Sequence, residues 1–172
     1  IRRGKPRRLG EAQAPALDSL WAHLTCYSHF RRILMLKHLQ QKGPATVGEL
    51  ARVADIGCGS GLVACAAMKA GASAALALDI EPLAVLAAAE LARRHQVTVS
   101  ASALDPLDRP ELVDAEVVLC ADLVSRAAQR DPFAAAVALW RSRGSRVLLA
   151  DSGRPFFEAH GLPLCFEEAV TA

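Results

Sequence analysis

Two patterns of hydrophobic and polar positions alternate along the chain: short apolar runs, and longer segments with helical spacing. The apolar runs predict five strands, because runs of this length bounded by turn residues are typical of β-structure. The run from Val117 to Cys120 is apolar throughout, as expected for a strand that is buried on both faces of a parallel sheet. The predicted strands are Val53–Ile56, Leu76–Ile80, Val97–Ala101, Glu116–Ala121 and Val147–Ala150.

Segments with helical spacing separate these strands. Gly71 follows one of them in the position of a helix stop, and Pro82 opens another in the first turn, where proline is tolerated. Strands that alternate with helices predict an α/β fold with a doubly wound, mostly parallel sheet. Helices are predicted over residues 18–41, from Ser60 to Ala70, from Pro82 to about His95, and from Phe133 to near Gly144.

The stretch VADIGCGSG, residues 53–61, places three glycines directly after the first strand, where the next helix begins. Gly57, Gly59 and Gly61 allow a sharp turn there, and a ligand could approach the backbone without meeting a Cβ atom. The start of the helix adds free N–H groups and the positive end of its dipole. Asp79 closes the second strand and could accept hydrogen bonds from both ribose hydroxyls of a nucleoside-bearing ligand. The alternative is a tight turn beside an ordinary surface acid.

The class of nucleoside ligand can be argued from the residues around the glycines. Gly59, Gly61 and Ala64 satisfy the G-x-G-x-x-A pattern, and Asp79 follows Gly59 by 20 residues, as in dinucleotide-binding oxidoreductases. Asp55, two residues before the first glycine, argues against that class, because a carboxylate there would repel a pyrophosphate. The same carboxylate would suit the ammonium group of a ligand that carries an amino acid.

The order of these residues resembles a known enzyme class. Asp55-Ile-Gly-Cys-Gly-Ser-Gly61 resembles motif I of class I S-adenosylmethionine-dependent methyltransferases, and Leu78-Asp-Ile-Glu-Pro82 resembles their second motif. Residues 60–85 and the segment Leu148–Pro155 are similar to the lysine methyltransferases that modify the β-subunit of electron-transfer flavoprotein. The resemblance spans roughly residues 21–157 and implies a Rossmann-like methyltransferase sheet with S-adenosylmethionine as the cofactor.

The resemblance also implies roles for single residues. Asp79 would bind the ribose, and Asp105 would contact the adenine amine unless it serves only as a turn residue before Pro106. Asp122, after the fourth strand, would lie at the substrate mouth as the catalytic candidate that orients an amine. The methionine end of the cofactor would lie against Asp55, Gly57, Gly59 and Gly61.

Three departures from the family pattern lead to a second hypothesis. The family motif Asp-x-x-Tyr here begins at Asp122 and ends at Ser125, and Thr25–Ser28 stands where the family has a Trp-Pro-Gly-Gly loop. Few residues follow the fifth strand, so we expect a C-terminally shortened sheet. We favour an S-adenosylmethionine-dependent methyltransferase that acts on a protein lysine. The alternative is a catalytically inactive, methyltransferase-like subunit of a large organellar assembly, either ribosome-like or respiratory.

Composition adds a domain division and a possible partner. The chain has 172 residues, 52% of them hydrophobic, which suits one domain over residues 17–172 after an arm over residues 1–16. The arm could contact RNA phosphates or an acidic protein, or it could be a solvated tail. Together with the family resemblance, the basic arm suggests that the protein is located in the mitochondrial matrix. A bacterial or eukaryotic cytoplasm is the alternative location. The basic residues of the arm are Arg2, Arg3, Lys5, Arg7 and Arg8.

Cysteine and histidine positions give no metal signature. The five cysteines contain no C-x-x-C pair, and no pair of histidines has convincing zinc spacing, so we expect no metal site. Several cysteines lie in apolar runs, where the residue is usually a small buried hydrophobe. Such usage favours a reducing compartment. The apolar tracts are too short to cross a bilayer.

Overall fold

A computed structural model describes residues 51–151 of the chain. The basic arm, the predicted helix over residues 18–41 and everything after Asp151 lie outside the described residues. The division into an arm and a domain, and the expected shortening of the sheet, therefore stay predictions.

Within residues 51–151 the elements are β1 (Arg52–Ile56), α1 (Leu62–Lys69), β2 (Ala74–Asp79), α2 (Pro82–Arg94), β3 (Val99–Ala103), β4 (Val117–Ala121), α3 (Arg130–Ser142) and β5 (Arg146–Ala150). The five strands form one parallel sheet in the order β3-β2-β1-β4-β5. This confirms the predicted doubly wound α/β fold. An α-helix connects β1 to β2, β2 to β3 and β4 to β5, whereas a longer loop with a 3-10 turn connects β3 to β4. Two short 3-10 turns, Pro110–Leu112 and Ala127–Gln129, precede β4 and α3.

The third strand begins two residues later than the sequence predicts, at Val99 instead of Val97. Gln96 has a φ of +56°, and the N–H of Val97 donates to the carbonyl of Ala92 at 3.1 Å. These features end α2 with a left-handed turn that is usually built on glycine. Because the turn uses the backbone of Val97, strand pairing starts only at Val99.

The core lies on both faces of the sheet. On one face α3 packs Phe133 and Trp140 against β4, and the indole Nε1 of Trp140 donates to the carbonyl of Pro110 at 3.0 Å. On the other face α1 and α2 bury mainly small side chains. The cysteines that the structure describes, at positions 58, 65 and 120, are all buried, as predicted from their apolar surroundings.

Helix α2 buries an alanine face instead of a leucine face. Ala84, Ala88 and Ala92 are buried, whereas Leu83 and Leu86 are 63% and 64% exposed. At Ala88 a small side chain is required, because a Cβ atom at Gly61 in the loop after β1 would lie only 2.5 Å from the Ala88 Cβ. None of the helices within residues 51–151 is long and apolar enough to cross a membrane.

Candidate functional site

The carboxyl ends of β1 and β4 form the point where the strand order reverses. The chain leaves β1 toward β2 on one side, whereas β4 leads to β5 on the other. Ligands of open α/β sheets bind at the carboxyl ends of the strands where the order reverses in this way. The structure places the glycine loop after β1, Asp79 at the end of β2 and Asp122 directly after β4. The sequence-predicted residues therefore meet at one edge of the sheet.

All three glycines of the loop have positive φ angles: +67° at Gly57, +52° at Gly59 and +74° at Gly61. A Cβ atom at Gly57 would lie 2.7 Å from Leu123 Cδ1, and one at Gly61 would lie 2.5 Å from Ala88 Cβ. Gly61 is therefore required by a contact within the chain, whatever ligand binds, whereas the contact at Gly57 involves only the end of the flexible Leu123 side chain. The sequence argument from ligand approach missed these partners, because Ala88 and Leu123 are distant along the chain.

Asp79 ties the end of β2 to the glycine loop. Its Oδ2 accepts the N–H of Gly59 at 2.8 Å, and its Oδ1 accepts the N–H of Glu81 at 3.0 Å. Each carboxylate oxygen can accept more than one hydrogen bond, so acceptor capacity remains for hydroxyl groups of a ligand. The half-buried carboxylate is thus held in place before any ligand arrives. Its role toward a ribose stays a prediction.

Asp55 lies inside the fold. Its side chain is only 2% exposed, and Oδ2 accepts the N–H of Ala64 at 3.0 Å in the first turn of α1. A negative charge is stabilised at this end of a helix, because the free N–H groups point toward it. The carboxylate therefore fixes α1 against β1. Its proposed contact with a ligand ammonium stays a prediction.

Asp105 lies two residues beyond β3, next to Asp79. Its Oδ1 accepts the N–H of Leu107 at 2.9 Å, which is an aspartate turn of the kind expected before a bend. The preceding Leu104 donates its N–H to the carbonyl of Asp79 at 3.0 Å, so this turn borders the site. The turn geometry accords with the turn-residue hypothesis. The turn uses one oxygen of the Asp105 carboxylate as an acceptor. A contact of Asp105 with the adenine stays a prediction.

Asp122 has an unusual backbone conformation, with a φ of +61°. Its N–H donates to the carbonyl of Ala150 at 3.0 Å, and the next residue, Leu123, packs against Gly57. A left-handed aspartate is uncommon, and such residues cluster at functional sites. The structure thus places Asp122 beside the glycine loop, and its catalytic role stays a prediction.

A small cleft opens beside Asp122 between β4, β5 and α3. Burial raises the pKa of the Cys120 thiol on this cleft, which therefore stays neutral and is a core group, not a nucleophile. Within residues 51–151, no group of three or more acidic, histidine or cysteine side chains is arranged to hold a metal. The cleft is lined mainly by Cys120, Leu123, Val124, Phe133, Leu149 and Asp151.

Sequence reasoning missed one exposed apolar residue at this edge. Ile80 directly follows Asp79 and is 52% exposed. The sequence contains a signal for this exposure, because Ile80 stands between the two acids Asp79 and Glu81, which are usually exposed to solvent. It offers an apolar surface next to the carboxylate.

The chain is similar to curated proteins over part of its length. It is 43% identical over 67 residues to a ribosomal protein L11 methyltransferase of Klebsiella pneumoniae (strain 342), which covers 39% of this chain and 23% of the relative. A protein of the same name from Enterobacter sp. (strain 638) is 42% identical over the same length. The match thus spans about a quarter of the length of these relatives.

Solved structures share the fold. A ribosomal protein L11 methylase from Lactobacillus delbrueckii subsp. bulgaricus has a TM-score of 0.52 and 21% identity, over 71% of this chain and 58% of that one. A putative RNA methyltransferase from Pyrococcus horikoshii has a TM-score of 0.50 and 20% identity, over 60% of this chain and 53% of that one. Likeness at this level of identity concerns the fold alone.

A family model identifies the relationship more directly. The model described as ribosomal protein L11 methyltransferase (PrmA) matches residues 29–128, which is more than half of the chain. The matched residues include the glycine loop, Asp79 and Asp122. The chain therefore belongs to the ribosomal protein L11 methyltransferase (PrmA) family.

Proposed function

We propose that this chain binds S-adenosylmethionine at the carboxyl edge of the sheet and directs its methyl group to an amine of a protein substrate. The observation that carries the proposal is the Asp79 carboxylate, bonded to the N–H of Gly59 where the strand order reverses. Membership in a methyltransferase family supports the same cofactor.

The residues present fit this cofactor by their chemistry. Asp79 supplies acceptors that suit ribose hydroxyls, and the exposed Ile80 supplies an apolar surface that suits the face of an adenine ring. Asp79, Glu81 and Asp105 make the edge acidic, which would disfavour the pyrophosphate of a dinucleotide. When bound, S-adenosylmethionine supplies a methyl group on a positively charged sulfur.

The contribution of this chain to methyl transfer is alignment and exclusion of water. Asp122 is held beside the glycine loop by the hydrogen bond to Ala150 and by Leu123. Its carboxylate would accept a hydrogen bond from the N–H of the incoming amine and so orient the nitrogen lone pair.

The substrate is part of the proposal. The relatives are named for ribosomal protein L11, and a protein amine, with lysine as the preferred type, is the substrate class we propose here. The closer kinship with electron-transfer flavoprotein β-subunit methyltransferases stays a prediction that rests on residues 60–85 and Leu148–Pro155. The comparisons give no support to the inactive-subunit alternative.

Location and further partners also remain proposals. The basic residues of the arm support a mitochondrial matrix location, with a bacterial or eukaryotic cytoplasm as the alternative. They would also provide charges for an RNA or an acidic protein. These residues are Arg2, Arg3, Lys5, Arg7 and Arg8.

Calorimetric titration with S-adenosylhomocysteine tests the cofactor site. We expect micromolar binding, weakened about 10- to 100-fold by Asp79→Ala, because hydrogen bonds to charged groups contribute ~1.5–3 kcal/mol each. Asp114→Ala is the matched control, since it removes the same charge near the amino end of β1, where Asp114 pairs with Arg52. Absence of binding by the folded chain, or equal weakening by both variants, would contradict the proposal.

Transfer of a labelled methyl group tests the reaction. Ribosomal protein L11 and the electron-transfer flavoprotein β-subunit serve as separate substrates, and Asp122→Asn should lower the rate while leaving cofactor affinity unchanged. Label on one protein alone would decide between the two substrate hypotheses. Tight cofactor binding without label on either protein would favour the inactive-subunit alternative.

A further inference from the structure

The segment between β4 and α3, residues 122–129, is here named the substrate loop. It begins at Asp122 and ends at Gln129, in the 3-10 turn that directly precedes α3. Its first half is anchored: Val124 is 1% exposed in the core, and Leu123 packs against Gly57. Its second half, from Ser125 to Ala128, is exposed.

Gln129 holds the exposed half through one atom. Its side-chain Oε1 accepts the N–H of Ser125 at 2.9 Å, the N–H of Arg126 at 3.1 Å and the hydroxyl of Ser125 at 3.1 Å. The backbone N–H of Gln129 in turn donates to the carbonyl of Arg126 at 3.0 Å. The Gln129 side chain thus caps the start of the 3-10 turn Ala127–Gln129, and the backbone bond is the ordinary i to i+3 bond of that turn.

The same hydrogen bonds involve the residue that stands at the position of the tyrosine in the Asp-x-x-Tyr pattern. Ser125 stands where the Asp-x-x-Tyr pattern has tyrosine, and its hydroxyl is directed to Gln129. A large ring would fix such a loop by packing. Here a polar contact from the start of α3 fixes it instead.

We infer that Gln129 is a positioning residue of the methyl-transfer site, which fixes the backbone of the substrate loop three residues beyond Asp122. The inference rests on the proposed function. In this inference, the polar contact between Gln129 and Ser125 holds in place the loop that presents Asp122 to the substrate. Gln129 acts on Asp122 indirectly, through the backbone of the loop. The contact of the loop with Gly57 is made by Leu123.

Amide hydrogen exchange of the chain tests the geometric part without any ligand. Gln129→Met removes the acceptor at nearly constant length, and we expect exchange at the amides of Ser125 and Arg126 to become at least about tenfold faster. Gln129→Glu keeps an acceptor oxygen at the same reach and should restore slow exchange. Ser125→Ala removes one of the three donors and should have a smaller effect.

Unchanged exchange in Gln129→Met would overturn the inference. Faster exchange spread evenly over β1 and β4 would overturn it as well, because it would show general loss of stability instead of a local role. Thermal unfolding of the same variants distinguishes a loop effect from a global one.

Enzyme kinetics test the functional part. In Gln129→Met we expect KM for the protein substrate to rise about fivefold or more, with affinity for S-adenosylhomocysteine unchanged and with rescue by Gln129→Glu. Equal loss of cofactor affinity would overturn the assignment to the substrate side. If the wild-type chain binds no cofactor, the proposed function fails, whereas the exchange experiment still reports on the capping contact alone.

Discussion

Replacing Gly61 by alanine tests whether packing between the glycine loop and α2 explains this residue. A Cβ atom at Gly61 would lie 2.5 Å from Ala88 Cβ and 2.8 Å from Ala88 Cα. The second atom belongs to the backbone of a helix and cannot move aside by rotation of a side chain. Substitution must therefore displace α1 and the loop from α2.

Two other glycines provide matched comparisons. Gly144 has a φ of +89° and open space where its Cβ would lie, so Gly144→Ala should cost only the backbone strain, about 1–2 kcal/mol. Gly61→Ala adds an overpacking cost of about 1–3 kcal/mol, which gives about 2–5 kcal/mol in total. Gly57→Ala should fall near Gly144→Ala, because its Cβ meets only the mobile end of Leu123.

Urea unfolding followed by circular dichroism measures these differences. The free energies of unfolding should rank Gly61→Ala as the least stable variant, with the same m-value as the wild type. Equal destabilisation by Gly61→Ala and Gly144→Ala would refute the packing argument. The glycine at position 61 would then have to be explained by its φ angle or by ligand approach.

Three further predictions concern the core and the surface. Trp140→Phe removes the hydrogen bond to the Pro110 carbonyl and should lower the free energy of unfolding by about 1–3 kcal/mol, measured in urea. Burial raises the pKa of the Cys120 thiol, so the unfolded thiol ionises first as the pH rises past its ordinary value of 9.0. Stability should then fall above about pH 9 by up to ~1.4 kcal/mol per pH unit, and Cys120→Ala should reduce that slope. The two arginines that end α2 lower the pKa of Glu90 to about 2, so its carboxyl should titrate near pH 2 by NMR and near its ordinary value of 4.5 once both are replaced.

The order of strands and helices could be predicted because its signals are local. The apolar run Val117–Cys120 and the helical spacing from Phe133 to Trp140 each reflect the periodicity of one element, and both elements are present, although α3 begins three residues earlier than predicted, at Arg130. The start of β3 was wrong by two residues. The left-handed turn that delays it is built on Gln96, a residue that carries no turn signal in the sequence.

The candidate site was predictable as a set of residues but not as a set of contacts. Asp79 and Asp122 could be placed at one sheet edge, because the carboxyl ends of parallel strands meet there. For Asp55 the sequence predicts a ligand contact, which stays a prediction, and the structure adds a contact within the chain, because its buried carboxylate accepts the N–H of Ala64 at the start of α1. Nothing local in the sequence predicts that second contact.

The sequence by itself determined that this chain alternates strands with helices, turns on three glycines after the first strand, and carries the methyltransferase order of motifs. Only the tertiary structure decided why Gly61 is required by packing, since Ala88 reaches it through the position of α2 against the glycine loop. It also decided how Gln129 holds the substrate loop. The physical reason is that periodicity and turn chemistry act between near neighbours along the chain, whereas these contacts depend on how the elements pack in space.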